Sequence, residues 1–193
     1  MTPFVLTLEP KIWTKGPYLI STDASLIPVQ ELNAWFSTQE IYWAKPMPEQ
    51  FMRETLQRSL CFGMYHSSDA ECPRTENESA EGRDFIGIAR CITDFTTFIY
   101  LTDVYILPSH QGCGLGTWLM QCVQEVVESM PYLRRSLLFT GDWKRSVPFY
   151  EKVLDMEVHK CIPPTDGKDG EGLAVMMRKG RGNPTYKENS LRS

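Results

Sequence analysis

Three glycines at alternate positions, Gly112, Gly114 and Gly116, stand between an apolar stretch and a run with helical period in "DVYILPSHQGCGLGTWLMQCV". Glycine lets successive backbone N–H groups turn toward one point, and a helix N-terminus adds unsatisfied donors and partial positive charge. The chemistry this implies is anion binding, with phosphate the usual ligand. Two familiar phosphate motifs do not fit. A dinucleotide fingerprint needs a glycine three residues beyond Gly114, where Thr117 stands. A P-loop needs a Gly-Lys pair, and no lysine occurs in the loop. The competing reading is a tight strand-to-helix turn without a ligand, for which three glycines in five positions is an excess.

The elements that must hold this loop follow from periodicity. "FIGIARCIT" and "TFIYLTDVYIL" read as two strands of an antiparallel hairpin with a tight turn at 94–96. From Gly116 the period becomes helical, with Leu119, Val123, Val126/Val127 and Met130 on one face and Pro131 as the stop. "SLLFT" reads as a buried strand, "VPFYEKVL" as a short helix and "AVMMRK" as a last strand. Upstream, the spacing predicts a strand over 18–21, a helix capped at Ser21, Thr22 or Asp23 and running to about Phe36, a second helix after Pro48 carrying Phe51, Met52, Thr55 and Leu56, and a strand at "SLCFGMY". The strand, loop, helix, strand order around the glycines calls for parallel strands there, so the sheet is mixed.

At 193 residues, 42% hydrophobic and 23% charged, the chain suits one globular domain. It spans 1–179, with a loose polar tail over 180–193. No apolar run reaches membrane-helix length, and Met1 to Pro10 does not resemble a secretion signal, which points to a cytoplasmic protein with no membrane role. The six cysteines lack CxxC spacing and pair with no histidine at ligand distance, so reduced thiols and no metal are expected. Residues 67–84 hold six acids against Arg74 and Arg83, which accounts for the whole net charge of −4 and reads as a solvated acidic loop. With no basic stripe on the body, nucleic acid is not an expected partner.

Gln111-Gly112-Cys113-Gly114-Leu115-Gly116 resembles the Gln/Arg-x-x-Gly-x-Gly/Ala signature of the GNAT superfamily of N-acetyltransferases, with "VYILPSH" matching the strand and proline that precede it. The similarity extends in element order from about Tyr18 to Lys179. It implies a single-domain α/β fold, a mixed and mostly antiparallel sheet with two splayed parallel strands and about four flanking helices. It also implies acetyl-CoA as cosubstrate, with Val104, Tyr105 and Ile106 pairing with the pantetheine arm and Gln111, Gly112, Cys113, Gly114, Leu115, Gly116 and Thr117 holding the pyrophosphate. "SVPFYEKVLDMEV" is similar to the family's late helix, which places Tyr150 as the general acid for the departing thiolate. A phenol of ordinary pKa near 10 is protonated at neutral pH and can serve; a tyrosine packed in the core is the alternative. Asp155-Met156 replaces the family's Gly-Phe, and Trp143 stands where many members have asparagine.

Acetyl transfer needs a neutral amine, hence a proton acceptor. Strand alternation sets Tyr100, Thr102 and Val104 on one face and Leu101, Asp103 and Tyr105 on the other. Tyr100 and Thr102 fall where relatives carry a glutamate base, which this chain lacks. Asp103 is the nearby carboxylate, and a β-bulge there would turn it toward the cleft as base or substrate binder, against an anchoring role. A water relayed through Tyr100 or Asp103 is the other route. By the same resemblance the connection carrying Tyr42, Trp43 and Lys45 helps wall the acceptor site, against an anchoring Trp packed on the core; Thr102, and Thr140 and Asp142 at the end of the next strand, are further candidates to face the acceptor. The expected acceptor is a small-molecule primary amine, the expected assembly a monomer or homodimer. A protein N-terminus or lysine, or a CoA-binding sensor without chemistry, are the alternatives.

Overall fold

The computed structural model describes residues 9–67, 82–161 and 175–176. Most of the expected acidic loop, most of the "AVMMRK" strand and the 180–193 tail lie outside them; the two described residues of that strand segment, Val175 and Met176, belong to no strand.

Among the described residues six strands form one sheet in sequence order: β1 Ile12–Lys15, β2 Tyr18–Ser21, β3 Leu60–His66, β4 Asp84–Thr93, β5 Phe98–Ile106 and β6 Arg135–Leu138. Neighbours are antiparallel except β5 and β6, which run parallel. β1 has no counterpart in the periodicity reading; it pairs with β2 across a turn in which Gly16 takes φ +59°. The turn between β4 and β5 is fixed by Asp94, whose carboxylate accepts from the amides of Thr96, Thr97 and Phe98 and from the Thr97 hydroxyl.

Four helices among the described residues cover the two faces: α1 Val29–Trp35 and α2 Glu49–Gln57 on one, α3 Leu115–Glu128 and α4 Ser146–Leu154 on the other. The expected first helix is corrected. Asp23 does cap, accepting from the Ser25 amide at 2.9 Å, but it starts only a 3-10 turn, and α1 begins after Pro28. Proline removes an amide and bars helical geometry from the residue before it, so the run splits there.

Two cores result. Leu119, Met120, Val123 and Val126 of α3 pack on Phe62, Met64, Ala89, Ile99 and Leu101. Leu32 and Trp35 of α1, with Met52 and Leu56 of α2, cover Leu19, Tyr65, Phe85 and Ile88. Burying each such side chain contributes on the order of 2 kcal/mol. The expectation of a buried strand at "SLLFT" is corrected too: in β6, Arg135 and Ser136 are exposed and Leu137 and Leu138 half-buried, because a single strand partner flanks it among the described residues. No helix among the described residues is long and apolar enough to cross a membrane.

Candidate active site

The parallel pairing between β5 and β6 covers only Phe98↔Arg135 to Leu101↔Leu138. β5 runs on to Ile106, so Thr102 to Ile106 have no strand beside them on that edge among the described residues. An open run of backbone donors and acceptors is a ready template for an extended ligand. It includes Val104, Tyr105 and Ile106.

The open edge ends at the glycine loop. Gly112 and Gly114 adopt φ of +81° and +77°, the left-handed region, and Gly114 caps α3. The amides from Gly112 to Thr117 donate to no acceptor among the described residues, and those of the first helical turn have none available within the helix. Amides without acceptors plus the positive end of a 14-residue helix could hold an anion such as a pyrophosphate. Two loop residues serve other ends. The Gln111 side chain donates to the Ile106 carbonyl at 2.7 Å, a strut from the loop to the strand end. Gly116 has ordinary helical geometry, and a Cβ there would meet Phe149 and Ile106 at 3.8 and 3.9 Å, normal contact distances.

At the other end of the open edge, β5 carries a bulge. Arg90 of β4 pairs with Thr102 and Ile88 with Tyr105, so β5 spends one extra residue between them, and Asp103 takes φ +47°. Strict alternation therefore fails beyond Thr102: Val104 and Ile106 pack toward α3, while Asp103 turns to the α1/α2 face. There its carboxylate is 7% exposed and accepts from Arg90 Nε at 2.7 Å, from the Trp43 indole at 3.1 Å and from the Thr102 hydroxyl at 3.4 Å. Arg90 in turn donates to the Ser59 hydroxyl at 3.0 Å. Three donors occupy most of the carboxylate's acceptor positions.

Trp43 belongs to the connection between α1 and α2, and its neighbour Tyr42 stands edge-on to it with centroids 5.2 Å apart. Tyr42 reaches across to the end of β6, where a Cβ on Gly141 would lie 3.4 Å from its hydroxyl. Tyr150 of α4 lies within electrostatic reach of the same phenol. Burial, with the Tyr42 phenol adding to it, pushes the Tyr150 hydroxyl up to about 12. Tyr100 on β5 faces Phe139 at 5.4 Å, completing the surround.

Tyr42, Trp43, Tyr100, Thr102, Asp103 and Tyr150 are thus brought together. Thr140 and Asp142 are half-buried but engaged: the Asp142 carboxylate accepts from the amides of Lys144 and Arg145 and organises the entry to α4, while the Thr140 hydroxyl accepts from the Asp142 amide. Tyr105 also lies on the α1/α2 side, against Trp35, and burial together with the bond from its hydroxyl to Glu40 raises it to about 12. Asp155 takes the left-handed C-cap of α4, φ +50°, a position that glycine fills most easily and that aspartate tolerates. Trp143 is exposed at the turn before α4. Sequence reading did not single out Arg90, Phe139 or Gly141; an arginine inside the apolar "FIGIARCIT" was the available signal for the first.

A family model described as the acetyltransferase (GNAT) family matches residues 32–156. The Gibberella zeae protein FG08082, provisionally designated an acetyltransferase, is 38% identical over 176 residues, which cover 89% of this chain and 96% of that protein. A Xanthomonas campestris crystal structure assigned to the same family shares 28% identity, covers 88% of this chain and 97% of its own, and superposes with a TM-score of 0.60. A Deinococcus radiodurans structure at 18% identity, covering 82% of this chain and 95% of its own with a TM-score of 0.51, shows the same fold.

Proposed function

The chain belongs to the GNAT family of acetyltransferases, and from that premise we propose that it moves the acetyl group of acetyl-CoA onto the primary amine of a small molecule by direct attack. The observation that carries this reading is one path: amides at the N-terminus of α3, then the edge of β5 left unpaired among the described residues, then Tyr150 and Tyr42 near the point where β5 and β6 part.

Acetyl-CoA supplies an acyl group already activated as a thioester. The amides of residues 112–117 receive the pyrophosphate, and Val104, Tyr105 and Ile106 align the pantetheine arm as an added strand would lie. The acceptor nitrogen forms the new C–N bond, the C–S bond breaks, and the sulfur leaves with its electron pair. Tyr150 donates a hydrogen bond to that sulfur. With its phenol near 12, full proton transfer to a thiolate of ordinary pKa near 8.5 is uphill by roughly 3 units, so the hydrogen bond stabilises the developing charge. The amine's proton goes to water on the Tyr100 and Thr102 side, since Asp103 already receives three donors. Asp103 then acts as a positioning residue, holding Trp43 and Arg90.

The same commitment of Asp103 is what favours a second reading, a CoA-binding sensor without turnover. Mixing the protein with acetyl-CoA and a panel of amines, while following thiol release, separates the two. Turnover that requires an amine supports the transferase. Tight CoA binding with no amine-dependent release supports the sensor. In the transferase, loss of that hydrogen-bond donor in Tyr150→Phe lowers kcat roughly 10-fold or more while the Kd for CoA is kept; unchanged kcat removes Tyr150 from the mechanism.

A further inference from the structure

The loop over 111–117 contains no basic side chain. Gln111, its one long polar residue, is committed to the Ile106 carbonyl. A pyrophosphate carries about two negative charges, whereas a helix N-terminus offers roughly half a positive one. A full countercharge has to come from elsewhere in the fold, and β1 brings one. Lys15, Tyr18 and His66 stand opposite one another in a row across β1, β2 and β3, and directly opposite residues share a face of the sheet. Both ends of the loop rest on that row. His110, the residue before it, meets the rings of His66 and Tyr18 at centroid distances of 5.2 and 6.3 Å. Trp118, the residue after it, has the Lys15 ammonium 5.9 Å from its ring centroid.

Trp118 lies four residues past Gly114, the cap of α3, which is about 6 Å along the axis. Helical side chains lean back toward the N-terminus, so its ring covers the first turn. The ammonium over that ring therefore stands beside the turn whose amides have no acceptors among the described residues. Its charge is whole. Lys15 is exposed and forms no ion pair with any described residue, and an aromatic face attracts a cation without cancelling it. Lys11, just before the same strand, is the contrast: its ammonium pairs with Glu125 of α3 at 3.4 Å. Of the two lysines along this edge, the one at the loop end of α3 is left unneutralised.

We propose that Lys15 is a cosubstrate-binding residue, its ammonium set against the pyrophosphate of acetyl-CoA from the β1 side of the loop. This rests on the acetyl-CoA reading above and adds to it a cation from the opposite edge strand of the sheet. The backbone amides supply direction to the phosphates, and Lys15 supplies the charge that the loop lacks.

The test titrates the full chain calorimetrically with CoA and with dephospho-CoA, which keeps the pyrophosphate and lacks the 3′-phosphate. Lys15→Met keeps an unbranched stem against Trp118 and removes the charge, while Lys15→Arg keeps the charge. At about 0.05 M salt, Lys15→Met is expected to raise the Kd for both ligands about 5-fold or more, and Lys15→Arg to stay within about 2-fold of the unaltered chain. Lys15→Glu weakens both ligands further. At about 0.5 M salt the loss in Lys15→Met shrinks to about 2-fold or less, because an exposed charge is screened; a loss of packing alone is not. An unchanged Kd in Lys15→Met and Lys15→Glu, a loss seen with CoA but not with dephospho-CoA, or a loss that salt leaves intact overturns the inference. In each of those cases the unaltered chain still binds CoA and the acetyl-CoA reading stands. An unaltered chain that binds neither ligand overturns both.

Discussion

Asp103 shows how one residue's neighbours decide its role. A carboxylate beside a cleft suits a base, yet here its charge answers Arg90 and its oxygens also hold Trp43 and Thr102. Both members of the ion pair are largely shielded, at 15% and 7% side-chain exposure. Breaking such a pair from one side strands the other charge, which costs about 3 kcal/mol. Asp103→Asn keeps size and removes charge, so it is expected to lower Tm by roughly 6 to 12 °C for a chain of this length. Asparagine keeps one acceptor oxygen, for which the Trp43 indole and the Arg90 guanidinium then compete, so the hold on Trp43 weakens and the KM for the amine rises more than kcat falls. A loss of kcat beyond about 1,000-fold with Tm unchanged would instead make Asp103 the base. The bulge that turns this side chain follows from pairing across two strands, so the residue's type was legible in the sequence and its engagement with Arg90 was not.

At the scale of the element, the glycine loop and α3 were the most legible part of the chain. Glycine spacing, the preceding proline and the switch to a 3.6-residue period all bear on the same turn, and each is local. The three glycines are nevertheless unequal. Gly114 needs its left-handed φ of +77°, although a Cβ there would meet nothing within 4 Å. Gly116 needs neither. Gly114→Val places a β-branched residue in that region at a cost of about 2 kcal/mol or more, relieved only by swinging the amides of the loop. It is expected to abolish CoA binding, whereas Gly116→Ala keeps the Kd within about 3-fold; isothermal titration with CoA checks both. Retained binding in the valine variant, or equal loss in the alanine variant, contradicts the unequal roles. Elements set by partners were less legible. β1 and the exposure of β6 depend on what lies beside them in the sheet, and Pro28 divided a run whose apolar spacing alone read as one helix.

For the whole molecule, the two cores on either side of the sheet set the response to alkali. Cys61 on β3 is buried beneath α1 and α2, and Cys91 on β4 is buried beneath α3. Cysteines within apolar runs already read as buried, reduced thiols, and burial is the main cause that pushes both up to about 12. In the unfolded chain they ionise near an ordinary 8.5 to 9. Below that range both states hold the protons, so the thiols add no pH dependence. Above it the unfolded chain releases protons that the native state keeps, and stability falls as pH rises, progressively until about 12, by up to about 1.4 kcal/mol per pH unit for each thiol. Buried phenols such as Tyr150 follow the same sign but start a unit or more higher, from an ordinary 10. Calorimetric Tm, measured under reductant, is therefore expected to be flat from pH 7 to 8 and to decline from about pH 9. Burial pushes Cys122 of α3 up to about 12 as well, so replacing Cys61, Cys91 and Cys122 together by alanine lowers Tm throughout through the lost packing, yet delays the onset of decline to about pH 10. An onset unchanged in that variant would place the alkaline sensitivity outside the two cores.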